Sequence, residues 1–152
     1  MSSCFEKVIE GEVPADVFIA RGHPNITARN KRTLEITKDL YVTKRGDCVV
    51  ACCAEKGAGE LDREVLKALA KRGVVIVALS VGDVWDYVVG ETPLATPTSN
   101  WRIVARKSRY VESSTVAVSI NKAAVDLDRG LVARLRESVP VRVIIGVCPT
   151  YI

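Results

Sequence analysis

A gap-free internal match constrains this chain more than any other feature of its sequence. Residues 50–81 align on residues 116–147 with a constant offset of 66. Identical pairs are Val50/Val116, Ala51/Ala117, Lys56/Lys122, Ala58/Ala124, Leu61/Leu127, Asp62/Asp128, Arg63/Arg129, Leu69/Leu135, Val75/Val141, Val77/Val143 and Val81/Val147. Unrelated segments of ordinary composition share roughly two to four residues over such a length. The apolar pattern recurs as well. Leu61, Val65, Leu66 and Leu69 return as Leu127, Leu131, Val132 and Leu135, the spacing of one helix face. Repetition at this scale governs how everything local is read. It predicts one module written twice.

Each copy reads in the same order. Strands are expected at 48–54 and 115–120, followed by a Lys-x-Ala loop and a helix at about 61–72 or 127–138. Asp62 and Asp128 stand where a carboxylate caps the first turn, and Gly73 stands where a helix ends. The apolar runs Val74–Val81 and Val141–Val147 fit buried strands. Upstream, strands are expected at Phe5–Ile9, Val13–Ala20 and Val84–Val89, then around Leu34 and Ile36 and at Trp101–Ala105. Gly22, Ile26 and Tyr41 are set against Gly90, Leu94 and Tyr110.

Two β-β-β-α-β halves result, approximately 1–81 and 82–152, within a single domain. Neither half is large enough to bury a core alone. The expected class is α+β, with the internally duplicated halves related by a pseudo-twofold axis. The expected architecture is a mainly antiparallel, barrel-like sheet with two outer helices. An open two-layer sandwich with both helices on one face is the alternative.

Composition narrows the setting. Aromatic residues make up only 5% of the 152, so Val, Ile, Leu and Ala must build the core. No apolar run approaches the roughly 18 residues of a membrane span, and the N-terminus lacks a signal-peptide pattern. A cytoplasmic protein without membrane partners is expected. Five cysteines (Cys4, Cys48, Cys52, Cys53, Cys148) make a disulfide scaffold a poor reading. The absence of Gln and abundance of Val resemble proteins of hot habitats, where an intracellular disulfide becomes possible.

The segments Ala20-Arg21-Gly22-His23-Pro24-Asn25, Thr33-Leu34-Glu35-Ile36-Thr37-Lys38, Arg45-Gly46-Asp47-Cys48 and the doubled Lys-x-Ala-x-x-Leu-Asp-Arg occur in that order. In this ordered set the chain resembles an archaeal family known as domain of unknown function 371. The resemblance covers nearly the full length. It implies an archaeal cytosolic protein and carries no catalytic residue over.

Candidate sites come from the residues themselves. His23, the one histidine, sits in a turn-forming Gly-His-Pro-Asn sequence. It could serve as an acid or base with Asn25, Glu35 and Asp47. Lys56 and Lys122 precede helices and could hold an anion, or pair with Asp62 and Asp128. Arg29, Arg32, Lys38, Arg45, Arg102 and Arg106 gather on the two hairpin regions among Tyr41, Trp101 and Tyr110. Phosphate contact and stacking would suit single-stranded nucleic acid, although a net charge of +4 is low for that role. No Cys-x-x-Cys or His pair supports a metal centre, and the sequence leaves the cofactor unknown. The leading expectation is a binder of an anionic ligand, either nucleic acid or a phosphorylated metabolite. The alternatives are a small enzyme centred on His23, or an assembly protein forming homo-oligomers through strand edges.

Overall fold

The computed structural model describes residues 3–150. Eight strands and three α-helices follow one another as α1 (Cys4–Ile9), β1 (Ala15–Arg21), β2 (Thr33–Thr37), β3 (Val49–Ala51), α2 (Arg63–Leu69), β4 (Gly73–Val81), β5 (Val84–Glu91), β6 (Arg102–Arg106), β7 (Thr115–Ala117), α3 (Arg129–Leu135) and β8 (Pro140–Pro149). Short 3-10 turns at Ala58–Glu60 and Ala124–Asp126 precede α2 and α3. The chain is α+β.

The strands form two four-stranded sheets, ordered β1-β8-β4-β5 and β3-β2-β6-β7. All neighbours in the first sheet are antiparallel. In the second, β2 and β6 pair antiparallel, while β3 and β7 join them in parallel with a shift of register beside Glu35 and beside Val104. No two neighbours in the first sheet come from the same side of residue 82. Neither part of the chain can therefore build that sheet without the other.

The expected barrel does not close. Single bridges, Arg21 to Cys52 and Glu91 to Val118, tie the sheets at two corners. Beyond each bridge Cys53 and Ser119 adopt φ values of 55° and 50°, and the pairing stops there. A left-handed residue turns the strand away, so the sheets stay separate layers.

One core fills the space between the layers. Leu34, Ile36, Ile103 and Ala105 of the second sheet meet Val75, Val77, Leu79, Val143, Ile145 and Val147 of the first. Val65 and Leu69 of α2 and Leu131, Val132 and Leu135 of α3 share that core. Both helices are capped as expected, Asp62 accepting from the Glu64 N–H and Asp128 from the Leu131 N–H. Gly73 is not a helix cap. It opens β4, where an added Cβ would lie 2.8 Å from the Cys148 carbonyl oxygen.

Residues 5–9, read as a strand, belong instead to α1. Ser3 accepts from the Glu6 N–H as N-cap. Val8, with Phe5 beside it, packs on Ile76, Ala78 and Cys148 on the outer face of the first sheet. Gly146 allows that approach, since a Cβ there would meet Val8 at 2.5 Å. A disulfide joins Cys4 to Cys148, fixing α1 to β8 across 144 residues of sequence. Closing so long a loop restricts the unfolded chain strongly. Reduction, or Cys148→Ser, is expected to lower stability by about 2–4 kcal/mol, measured as a shift of the urea midpoint with and without reductant.

Candidate functional site

The candidate residues separate into three environments. Lys56 and Lys122 are structural. Lys56 Nζ lies 2.8 Å from the buried carboxylate of Asp16, and Lys122 Nζ lies 2.9 Å from that of Asp86. The same carboxylates accept the backbone N–H groups of Asp62 and Asp128. The partners are thus Asp16 and Asp86 on β1 and β5, not the helix-capping aspartates. Each aspartate holds a strand, a lysine and a helix start together. Lys38 is likewise paired with Glu60, and Arg106 with Glu112.

Exposed, unpaired cations form the second group. Among the described residues, Arg29, Lys31, Arg32, Lys44 and Arg45 are exposed and make no ion pair. They lie on two loops that are bonded to each other. The Asp47 carbonyl accepts the N–H groups of Arg29 and Asn30, and the Asp47 carboxylate accepts from the Asn30 amide at 3.0 Å. Asn30 Oδ1 in turn accepts the N–H groups of Arg32 and Thr33. Asp47 therefore ties together the two loops of the cationic rim.

The third environment is a cleft of about 320 Å³ beside that rim. Glu35, Thr37, Asp39, Tyr41, Thr43, Cys48 and Arg102 line it. The shifted register at Glu35 and the tight turn in which the Gly46 N–H donates to the Thr43 carbonyl shape its floor and wall. Lys44 and Arg45 sit inside that turn. Asp39 accepts the Trp101 indole N–H at 2.6 Å, which places an exposed aromatic beside a residue of the cleft.

Burial perturbs two titratable groups within the cleft, Glu35 and Cys48. Desolvation raises the Glu35 pKa above the usual carboxylate value, against the lowering effect of Arg102, whose Nε is 4.0 Å away. Burial, reinforced by the negative charge of Glu35, also raises the Cys48 thiol. In both groups the physical cause is the same, loss of water around the charged form.

His23 does not line the cleft. Its Nδ1 accepts the Asn25 N–H at 3.0 Å, and its ring stands edge-on to Tyr41 at 5.2 Å. The Asn25 amide donates to the Tyr41 hydroxyl and to the Val42 carbonyl. His23 and Asn25 hold Tyr41 from behind. The four residues grouped by sequence as an acid–base set are therefore split between floor, wall support and rim. Sequence reading missed Thr37 and Asp39, although Thr37-x-Asp39 is a local polar pattern in which Thr37 Oγ1 accepts the Asp39 N–H.

With two open sheets, a shared core and a cleft in place, the protein is defined as a two-layer α+β chain with a concave site beside exposed cations. Residues 18–148 match the family described as Domain of unknown function (DUF371), and the chain belongs to that family. It is also similar to the uncharacterised protein MJ0206 of the archaeon Methanocaldococcus jannaschii, 35% identical over 122 residues, which covers 78% of this chain and 88% of that protein. Every residue of the cleft lies inside the matched segment. No helix among the described residues is long and apolar enough to cross a membrane.

Two outcomes follow from these environments. Lys56→Met strands the buried Asp16 carboxylate with a backbone N–H alone, and is expected to cost about 1–3 kcal/mol in chemical denaturation. For Glu35, the native state binds a proton more tightly than the unfolded state. Native stability should then fall as pH rises from the ordinary Glu range through the raised Glu35 value. Glu35→Gln should remove that fall, leaving the variant at least as stable as the parent at neutral pH; urea titrations from acid to neutral pH measure this.

Proposed function

We propose that this protein binds an anionic ligand in the cleft beside β2, with Arg29, Lys31, Arg32, Lys44 and Arg45 drawing the anion to the rim. The observation that carries the reading is that these five cations are exposed and unpaired on two loops bonded together by Asp47 and Asn30. Lys38, Lys56 and Lys122 are held by carboxylates, whereas the five rim cations lie close together in the chain with none among the described residues. Tyr41 and Trp101 offer exposed rings for stacking a planar group, which suits a nucleotide or a single-stranded nucleic acid. Desolvation raises the Glu35 pKa, and in its protonated form the carboxyl group can donate a hydrogen bond to an anion. The paired-hairpin surface expected from sequence becomes one-sided, because Arg106 and Arg109 are held by Glu112 and Glu91.

The catalytic alternative moves from His23 to Glu35. A carboxyl group of raised pKa in a concave site is suited to proton transfer, and Cys48 shares that site.

We also infer that the chain is a duplicated half-fold, consistent with a single domain. Several contacts recur at equivalent places. Asp16–Lys56 answers to Asp86–Lys122, and Lys38–Glu60 to Lys107–Asp126. The Lys38 N–H donates to the Trp101 carbonyl, and the Lys107 N–H to the Arg32 carbonyl. Gly22 N–H bonds Val139 as Thr92 N–H bonds Gly73, so Gly22 corresponds to Thr92 and not to Gly90.

Binding of a labelled single-stranded oligonucleotide and of inorganic pyrophosphate, followed by anisotropy and calorimetry, tests the ligand. Affinity should fall steeply with salt for the oligonucleotide. Arg29→Glu with Arg45→Glu should weaken both probes at least tenfold, while Lys56→Met leaves them unchanged. Equal binding by the charge-reversed protein would overturn the reading.

A further inference from the structure

Two neighbouring thiols take no part in the cleft. Cys52 is buried, and Cys53, the next residue, is half-buried. Their sulfurs stand 3.1 Å apart, about 1 Å beyond the length of an S–S bond. Apart from each other they have only distant polar neighbours. Cys52 Sγ is 3.9 Å from the Gly22 carbonyl oxygen, and Cys53 Sγ is 3.9 Å from that of Leu40.

The turn that holds them does not require sulfur. Val118 and Ser119, which align with them in sequence, build the same backbone. Val118 bridges Glu91 as Cys52 bridges Arg21. Ser119 has φ 50° where Cys53 has 55°. The N–H of Ser119 bonds the Ser108 carbonyl as that of Cys53 bonds the Asp39 carbonyl. One apolar and one hydroxyl side chain thus suffice for this corner, so the paired thiols answer to something other than the turn.

We propose that Cys52 and Cys53 form a redox pair that closes to a vicinal disulfide by exchange with a low-molecular-weight disulfide. Cys53, the more accessible, loses its proton and attacks one sulfur of the small disulfide. That S–S bond breaks, and the first thiolate departs and takes up a proton. Cys52 then loses its proton and attacks the Cys53 sulfur of the mixed disulfide, expelling the second small thiol. The pair gives up two electrons and two protons, and one small disulfide becomes two thiols. A dithiol reductant reverses the sequence.

The setting favours an internal partner over a lasting adduct. Burial and the neighbouring Cys53 push the Cys52 thiol up to about 12, so it stays protonated and unreactive toward solutes until a mixed disulfide forms 3 Å away. Adjacent Cα atoms are about 3.8 Å apart, closer than in ordinary disulfides. The closed ring is therefore strained and readily reopened. Closure acts on the chain next to the cleft, because Cys53 is bonded to Asp39 and lies against Leu40. The inference itself does not depend on ligand binding.

The test uses the full chain with the Cys4–Cys148 bond intact, incubated with oxidised glutathione and alkylated under denaturing conditions. Three alkylatable thiols should fall to one, and the intact mass should drop by two hydrogens without a glutathione adduct. A tryptic fragment spanning 46–56 carries Cys48 as well, so variants assign the bond. Cys48→Ser should still lose both remaining thiols. Cys52→Val and Cys53→Ser, which copy Val118 and Ser119, should fold and form no internal bond, as checked by circular dichroism and mass. Retention of three thiols, a stable glutathione adduct on the parent, or a bond formed by Cys48 in place of either neighbour would each overturn the proposal.

Discussion

The interleaving of the first sheet is the constraint from which the rest of the structure follows. Its order, β1-β8-β4-β5, alternates strands from before and after residue 82 at every step. Backbone pairing between β4 and β8 runs from Gly73 opposite Pro149 to Ser80 opposite Arg142, and every core-facing side chain on these strands is buried with its partner's. A polar backbone cannot be left unpaired in that core without a penalty of about 1–3 kcal/mol per group. Neither portion of the chain can satisfy its own strands, so ordering one orders the other. The two helices, each following a strand of the second sheet and leading into a central strand of the first, are drawn onto the same core face by that pairing.

Charge is distributed by the same logic. Where a strand of the first sheet passes beneath a helix start, a carboxylate is buried and a lysine is recruited to it, as in Asp16 with Lys56 and Asp86 with Lys122. A buried carboxylate needs both the cation and the backbone N–H groups, since either alone leaves the desolvation penalty uncompensated. Lysine at those positions is therefore withdrawn from any ligand. The loop from β1 to β2 and the loop from β2 to β3 carry exposed cations with no such carboxylate beside them, whereas Lys107 and Arg109 after β6 pair with Asp126 and Glu91. Among the described residues, Arg29, Lys31, Arg32, Lys44 and Arg45 are left exposed there without a carboxylate partner.

Much of this was legible in the sequence where the signal was local or repeated. The helix faces of Leu61, Val65 and Leu69 and of Leu127, Leu131 and Leu135, and the capping aspartates, could be read because helix periodicity and capping act within one or two turns. Glu35 and the basic loops could be singled out because their residue types and strand positions already limit what they can do. The misses lay where a distant partner or a local backbone state decided the outcome. The partner of Lys56 lies 40 residues away, which no local pattern encodes. Cys4–Ile9 is too short for its periodicity to separate helix from strand, and the Ser3 cap and the approach over Gly146 decided the outcome. Barrel closure turned on the left-handed backbone of Cys53 and Ser119, non-glycine residues whose φ sequence alone does not signal.

The contrast between the two corners explains why chemistry should gather on one side of so regular a scaffold. In the C-terminal part, Thr98 and Ser99 bond the Ser113 carbonyl just as Arg29 and Asn30 bond that of Asp47. Tyr110, Val111 and Glu112 then stand where Lys44, Arg45 and Gly46 stand in the first part, and Glu112 neutralises Arg106. The position of Glu35 is answered across the sheet by Val104, and that of Cys48 by Ser114. Backbone geometry is thus retained at both corners while free cations, the buried carboxyl group and the paired thiols occur at only one. Side chains that hold each corner together, such as Asp16 with Lys56 and Asp86 with Lys122, are common to both parts, and the differences between the corners fall on side chains outside those contacts.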